Sequence, residues 1–257
     1  MPHDVLPEFY RRRLPRWQPN GATVFLTYRL AGSLPQAVLD QLSAERERLN
    51  SGQWREGEKS GARHERISKA VFGRMDEFLA EQLRRPAPES PRWLADERIA
   101  RVVRENMRYW DGVRVRLLRF TIMPNHVHLL FEPLSQAGQP APQQPAPREQ
   151  TGQLSQAGQP APQQPAPLEQ TGQFAPRWPL RTIMQGLKGY TAREANQLLG
   201  RRGAFWQDES FDHWVRDEAE YNRIVWYIDN NPVAAGLCRE PGEWKWSSAG
   251  EESGAGC

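Results

Sequence analysis

Residues 134 to 153 and 154 to 173 are nearly the same text twice, LSQAGQPAPQQPAPREQTGQ and LSQAGQPAPQQPAPLEQTGQ, differing only at Arg148 and Leu168. Neither copy has an aromatic residue, and Thr151 and Thr171 are the only β-branched ones. Such text buries too little apolar surface to offset the entropy of ordering it, and its Pro and Gln favour an extended, partly polyproline spacer. A solenoid would need a hydrophobic face in each repeat, which is missing here. Residues 134–176 are therefore expected to be a disordered insert. Residues 1–133 and 177–257 must then supply the packing, as a single domain.

This insert helps explain why a 257-residue chain has only 38% apolar residues and a mean hydropathy of −0.77. The net charge is +3 and the pI about 9.0, compatible with a nucleic-acid partner but not demanding one. Arginines cluster at 11, 12, 13 and 16, at 98, 101, 104 and 108, and at 114, 116 and 119. Arg can fork onto phosphate or guanine, although any single cluster also reads as a solvated face. Cys238 and Cys257 are the only cysteines, so neither a disulfide framework nor a zinc–thiolate site follows. The N-terminal text has no apolar signal-peptide core and no stretch is long enough to span a membrane, so a cytoplasmic protein is expected.

Outside the insert, strand and helix patterns alternate. Thr23–Arg29 reads as a strand, Pro35–Asn50 and Ile67–Leu83 as helices, and 51–63 as a loop between them. Glu97–Trp110 reads as a helix carrying the second arginine series, and Val113–Ile122 as a strand. After the insert come a helix over Leu180–Leu199 and an aromatic segment over Phe205–Val215. A last helix over Glu218–Asn230 should be stopped by Pro232. The pattern predicts an α+β sandwich with its helices on one face of a sheet.

Met123 to Glu132 reads MPNHVHLLFE, a strand entered through a Pro-Asn turn. Side chains alternate along a strand, so His126 and His128 share one face while Val127, Leu129 and Phe131 share the other. Two neutral imidazoles suit a transition metal or Mn²⁺, and amide, carboxylate or phosphate oxygens would complete a site for Mg²⁺ or Mn²⁺. By itself such a pair reads equally as a solvent-facing His pair or an incidental zinc site. Farther on, Tyr227 and Asn231 stand four apart on one face of the last helix. A lone helical tyrosine is usually a core residue, and its pairing with Asn231 and Pro232 is what raises it to a candidate. Together, a His pair, a tyrosine and an amide oxygen suggest metal-assisted phosphoryl transfer to a tyrosine.

MPNHVHLL at 123–130 and YIDNNPVAAGL at 227–237 resemble the HUH single-tyrosine nucleases, and among them the REP-associated tyrosine transposases. GAFWQ at 203–207, Phe211-Asp212-His213, Val215-Arg216-Asp217, Trp246-Ser247-Ser248 and the opening GATVFLTYRL at 21–30 extend the resemblance to nearly all of the chain except 134–176. The position of that segment between two such stretches favours a tolerated loop insertion over a Pro-rich ligand for a partner. The resemblance implies a ferredoxin-like or RRM-like antiparallel sheet with helices packed on it, an HUH endonuclease core. It implies Tyr227 as the nucleophile, forming a 5′-phosphotyrosine and freeing a 3′-hydroxyl. His126, His128 and Asn231 would hold Mg²⁺ or Mn²⁺, with Asn231 where some relatives carry glutamine. The substrate would be single-stranded DNA, near a REP-like hairpin, and the protein a monomer or homodimer.

Lys188, Arg193, Arg216, Arg114 and Arg116 are candidate phosphate contacts. Tyr190, beside Lys188, is the competing tyrosine. His213 reads better as a packing residue than as a ligand, and Phe205, Trp206 and Trp214 better as core than as stacking platforms. One rival reading is a DNA- or RNA-binding repressor module that no longer cleaves. Another is a zinc hydrolase using Glu132, which shares the face of the two histidines.

Overall fold

In the computed structural model, the residues described are 23–55, 57–134 and 178–254. The first arginine cluster, the start of the opening motif at Gly21 and Ala22, and almost all of the repeat lie outside them. The sheet is built around a hairpin of β2, Val115–Ile122, and β3, His126–Pro133. Pro124 and Asn125 turn the chain between them, closed by the Met123 N–H donating to the His126 carbonyl at 2.9 Å. β1, Val24–Leu30, pairs antiparallel with β3, and β4, Trp206–Trp214, pairs antiparallel with the other side of β1. The order β2-β3-β1-β4 is that of a split β-α-β-β-α-β unit, an α+β fold with a four-stranded antiparallel sheet.

Two crossover helices cover one face. α3, Glu97–Trp110, starts where the Asp96 carboxylate accepts the Arg98 N–H at 2.9 Å. Its Ile99, Val103, Met107 and Trp110 pack with Ile183 and Leu187 of α4, Leu180–Leu198, onto Leu26, Tyr28, Val127, Leu129 and Phe131. A helix seldom accepts Gly in its interior without reason. In α4, Gly186 lies so near the Trp110 ring that a Cβ would stand 3.0 Å from two of its carbons.

The opposite face is covered too, which corrects the expectation of helices on one side only. α5, Glu218–Ala234, sets Ile228 against Phe25 and Leu130. α2, Ser60–Arg84, brings Phe72 to Phe25 at 5.7 Å and to Phe211 at 4.0 Å, and packs with α1, Gln36–Ser51. The physical cause is that β3 is buried along nearly its whole length: Leu130 on the histidine side is as inaccessible as Val127 and Phe131 on the other. A strand apolar on both sides needs two covering layers.

Two element ends also differ from expectation. α2 begins at Ser60, so the connection after α1 is shorter than 51–63. Pro232 lies inside α5 and does not stop it. Its missing N–H costs one bond near the end of the helix, and the chain continues to a terminus closed by Ala235 N–H to Asn231 O and Leu237 N–H to Pro232 O, both reaching back from around Gly236 at φ 73°.

After β3, the Leu134 N–H donates to Arg114 O at 2.8 Å, and its carbonyl accepts from the Trp178 N–H at 3.0 Å. The two ends of the repeat-bearing segment are thus pinned side by side. The outer edge of β2 is occupied by the C-terminal segment. Ile122 N–H donates to Trp246 O at 2.8 Å, Phe120 N–H to the Ser248 hydroxyl at 2.9 Å, and Thr121 bridges Ser247. A short helix, α6, follows at Ser248–Glu252.

Candidate active site

β3 presents both histidines to the face shared by α2 and α5, and burial is complete: His126 is 1% exposed and His128 0%. Burial pushes the pKa of His126 down to about 3, and burial followed by the His126 neighbour pushes His128 well below its ordinary value, so both rings are neutral. Their outer nitrogens are held by neighbouring residues. Asn125 donates through Nδ2 to the Leu79 carbonyl at 3.2 Å, which leaves its Oδ1, 2.6 Å from His126 Nδ1, as the acceptor. His126 therefore carries its proton on Nδ1, and its Nε2 is a bare lone pair. His128 Nδ1 lies 2.7 Å from the Thr27 hydroxyl, its cross-strand neighbour on β1.

The two Nε2 atoms face each other at 2.9 Å. One proton between them satisfies both when His128 donates and the Thr27 hydroxyl turns to donate to Nδ1. His126 and His128 would hold a divalent cation in place of that proton, and the Thr27 hydroxyl could then accept from His128 Nδ1–H instead. The imidazoles thus fit the metal that the sequence motif implies.

α5 brings Tyr227 over this pair. Its hydroxyl is 3.4 Å from His128 Nε2 and is hydrogen-bonded to the Asn231 side chain one turn on. It also bonds the carboxyl of Asp76, which α2 carries in from the other side. Burial, then the charge of Asp76 and its hydrogen bond, push the phenol well above its ordinary value, and Asn231 offsets part of this. Phe25 packs edge-on to the Tyr227 ring at 5.9 Å and stacks on His128 at 5.8 Å.

Asp76 is the residue that sequence reading missed. Its Oδ1 is 3.5 Å from His128 Nε2, and one ligand atom from each of Asp76, His126 and His128 fits within a 4.8 Å span. A signal was present: Asp76 stands four after Phe72 and three before Leu79, an acid in the apolar stripe of an amphipathic helix.

The remaining candidates do not gather here. Tyr190 lies on α4, on the opposite face of the sheet, as do Lys188 and Arg193. The Lys188 ammonium donates to the carbonyls of Gln207, Asp208 and Glu209, where β4 has three residues opposite Arg29 of β1. Arg193 pairs with Glu194 at 3.3 Å and lies over the Tyr190 ring. Arg114 stacks on Trp110 and Trp178, with ring centroids 3.9 Å and 4.6 Å away. Arg116 is on the histidine face but pairs with Glu132 at 2.6 Å, so that the Glu132 carboxylate is engaged beyond the far end of the His pair. Phe205 and Trp206 are core residues, at 1% and 6% exposure, and the Trp206 indole N–H donates to the Thr191 hydroxyl at 2.9 Å.

His213 belongs to a second cluster, with Glu65 and Glu220, near the start of α5. Two cations of the chain already fill it. Lys69 lies 3.0 Å from Glu65 and 2.5 Å from Glu220, and Arg216 lies 3.2 Å and 3.3 Å from the same two carboxylates. This cluster is an ion-pair joint between α2, β4 and α5.

Among the described residues, no helix is long and apolar enough to cross a membrane. No protein-family profile matches the chain, and no curated protein matches it. Among solved structures it is similar to a REP-associated tyrosine transposase bound to a REP hairpin, at 12% identity and a TM-score of 0.45, over 94% of this chain and 85% of that one.

Proposed function

We propose that this chain cleaves and rejoins single-stranded DNA, near a REP-like hairpin, through a covalent 5′-phosphotyrosine on Tyr227 with Mg²⁺ or Mn²⁺ at the His pair. The observation that carries the proposal is the convergence of the Tyr227 hydroxyl, both histidine Nε2 atoms and the Asp76 and Asn231 side chains, drawn from three separate parts of the chain.

In this reading the Tyr227 oxygen attacks the phosphorus and loses its proton. The bond from phosphorus to the 3′-oxygen breaks, and that oxygen leaves as a hydroxyl after taking up a proton. The phosphodiester energy is kept in the tyrosine ester, so a second hydroxyl can reverse the step without ATP. Burial makes the phenol hard to ionise, and Asn231 favours the ionised form by hydrogen-bonding the oxygen. When bound, the cation polarises the phosphate and offsets the charge that develops. Trp226, next to the nucleophile and 67% exposed, offers a ring on which an unpaired base can stack.

The test is a covalent adduct between the protein and a hairpin-bearing single-stranded oligonucleotide in the presence of Mn²⁺. Tyr227→Phe should abolish it while DNA binding persists. Loss of the adduct in Tyr190→Phe but not in Tyr227→Phe would refute the assignment. The complete burial of both imidazoles favours a second reading, a module that binds structured nucleic acid without cutting it. In that case DNA binds and no adduct forms with any metal.

A further inference from the structure

We infer that Asp76 is the anionic ligand that completes the metal site of His126 and His128, taking the place that the helix motif suggests for Asn231. The inference rests on the reading above that the His pair holds a divalent cation.

Asp76 is buried without a countercharge. The Asp76 side chain is 16% exposed and sits among Phe72, Met75 and Leu79 of its own helix. Its Oδ1 is buried and makes no hydrogen bond. It faces His128 Nε2 at 3.5 Å, and among the described residues no Lys or Arg side chain pairs with Asp76. A buried carboxylate without a cation costs several kcal/mol, on the order of what removing one partner of a buried ion pair costs. A chain keeps such a group where something positive binds.

The unpartnered Oδ1 is the atom that points at His128 Nε2, and that Nε2 faces the bare Nε2 of His126. The Tyr227 hydroxyl bonds both the Asn231 side chain and the Asp76 carboxyl, but it leaves Asp76 Oδ1 without a partner. Two imidazoles and one carboxylate form a donor set for divalent first-row metals, with positions left for oxygens of water or phosphate. A carboxylate also makes the set anionic, whereas His, His and Asn are all neutral. In this arrangement Asp76 and Asn231 divide the work: one binds the cation, and the other orients the nucleophile. Metal loading would then fasten α2 to the sheet.

The test is Mn²⁺ binding to the full chain, followed by titration calorimetry without DNA, in the parent, Asp76→Asn, Asn231→Ala and His126→Ala. Asp76→Asn and His126→Ala should each weaken binding by more than the roughly 10–100-fold that loss of an outer partner costs, and Asn231→Ala by less. In the parent, Mn²⁺ should also slow hydrogen exchange of the α2 amides around Asp76, a readout that needs no variant to fold. The inference is overturned if Asp76→Asn binds Mn²⁺ like the parent, if His126→Ala does, or if loading leaves α2 exchange unchanged. Asp76-dependent Mn²⁺ binding with no DNA adduct would sink the proposed strand transfer and leave the ligand assignment standing. Adduct formation with Asp76-independent binding would do the reverse.

Discussion

Glu220→Gln is a substitution whose effect can be worked out from the structure. The Glu220 side chain is 6% exposed, and it ties the start of α5 to two other elements. Oε1 takes Lys69 of α2 at 2.5 Å and faces His213 of β4 at 3.0 Å, and Oε2 accepts the backbone N–H of Arg216 at 3.0 Å and its guanidinium at 3.3 Å. Asp217 caps the same helix by accepting the Glu220 N–H at 2.7 Å. Gln keeps the shape and some hydrogen bonding but loses the charge. Lys69 is 37% exposed and Arg216 57%, so each ion pair is taken at the modest value of solvated pairs, roughly 0.5–1 kcal/mol. Weakening the backbone bond adds about 0.5–1 kcal/mol. The expected loss is about 2 kcal/mol at neutral pH, or about 4–8 °C in Tm for a chain of this size.

The pH dependence has a definite sign. Burial alone would raise the Glu220 pKa, but Lys69 and Arg216 outweigh it and hold the carboxyl well below its ordinary 4.5. A group whose folded value is depressed stabilises the fold above its unfolded pKa, and that contribution fades as pH falls through the folded value. Urea unfolding of parent and variant should therefore differ by the full amount at pH 7.5 and by progressively less below about pH 4.5. A variant within 0.5 kcal/mol of the parent at pH 7.5, a size ordinary surface substitutions show, or a difference that stays constant down to pH 3.5, would refute the reasoning.

Gly186→Ala gains about 1 kcal/mol of helix propensity but overpacks Trp110, which Arg114 also covers; we expect a net loss of about 1 kcal/mol in unfolding free energy measured by denaturant titration, and a gain would show that α3 and α4 can separate. Deleting 135–173 leaves four residues between Leu134 and Trp178, whose backbones are already hydrogen-bonded; adduct yield should match the parent, and the fold should gain no more than about 2 kcal/mol of closure entropy. Loss of the cooperative melt would make the repeat structural. Trp226→Ala should leave Tm unchanged and weaken single-stranded DNA binding by about 1–3 kcal/mol, as base stacking does elsewhere; unchanged binding would remove that ring from the DNA path.

What the sequence made legible was local. α3 falls at the expected residues because Asp96 caps it and its apolar positions repeat with one clear helical period. The face shared by His126 and His128 follows from strand alternation alone. What could not be read depends on distant partners. Pro232 looks like a stop until the bonds around Gly236 show a helix end formed beyond it. Both faces of the sheet are covered because α2, inserted between β1 and α3, folds back over the histidines. The same fold-back delivers Asp76, whose meaning in sequence was only an acid in the wrong stripe. Lys188 looked free for phosphate because nothing in its neighbours announces the irregular stretch of β4 whose carbonyls it collects.

The strip of chain from Trp244 to Ser248 also bears on self-assembly. An edge strand is a template on which a second copy can continue a sheet, and exposed edges are a route to aggregation. On β2 that template is taken: the amides of Phe120 and Ile122 donate to Ser248 and Trp246, the Trp244 indole donates to the Ile122 carbonyl at 3.1 Å, and the Leu117 amide is held by Asp111. Two copies therefore cannot join edge to edge through β2 unless this strip peels away. Trimming the chain before Trp244 would lay the edge bare and should make the protein associate through its strands more readily than the parent.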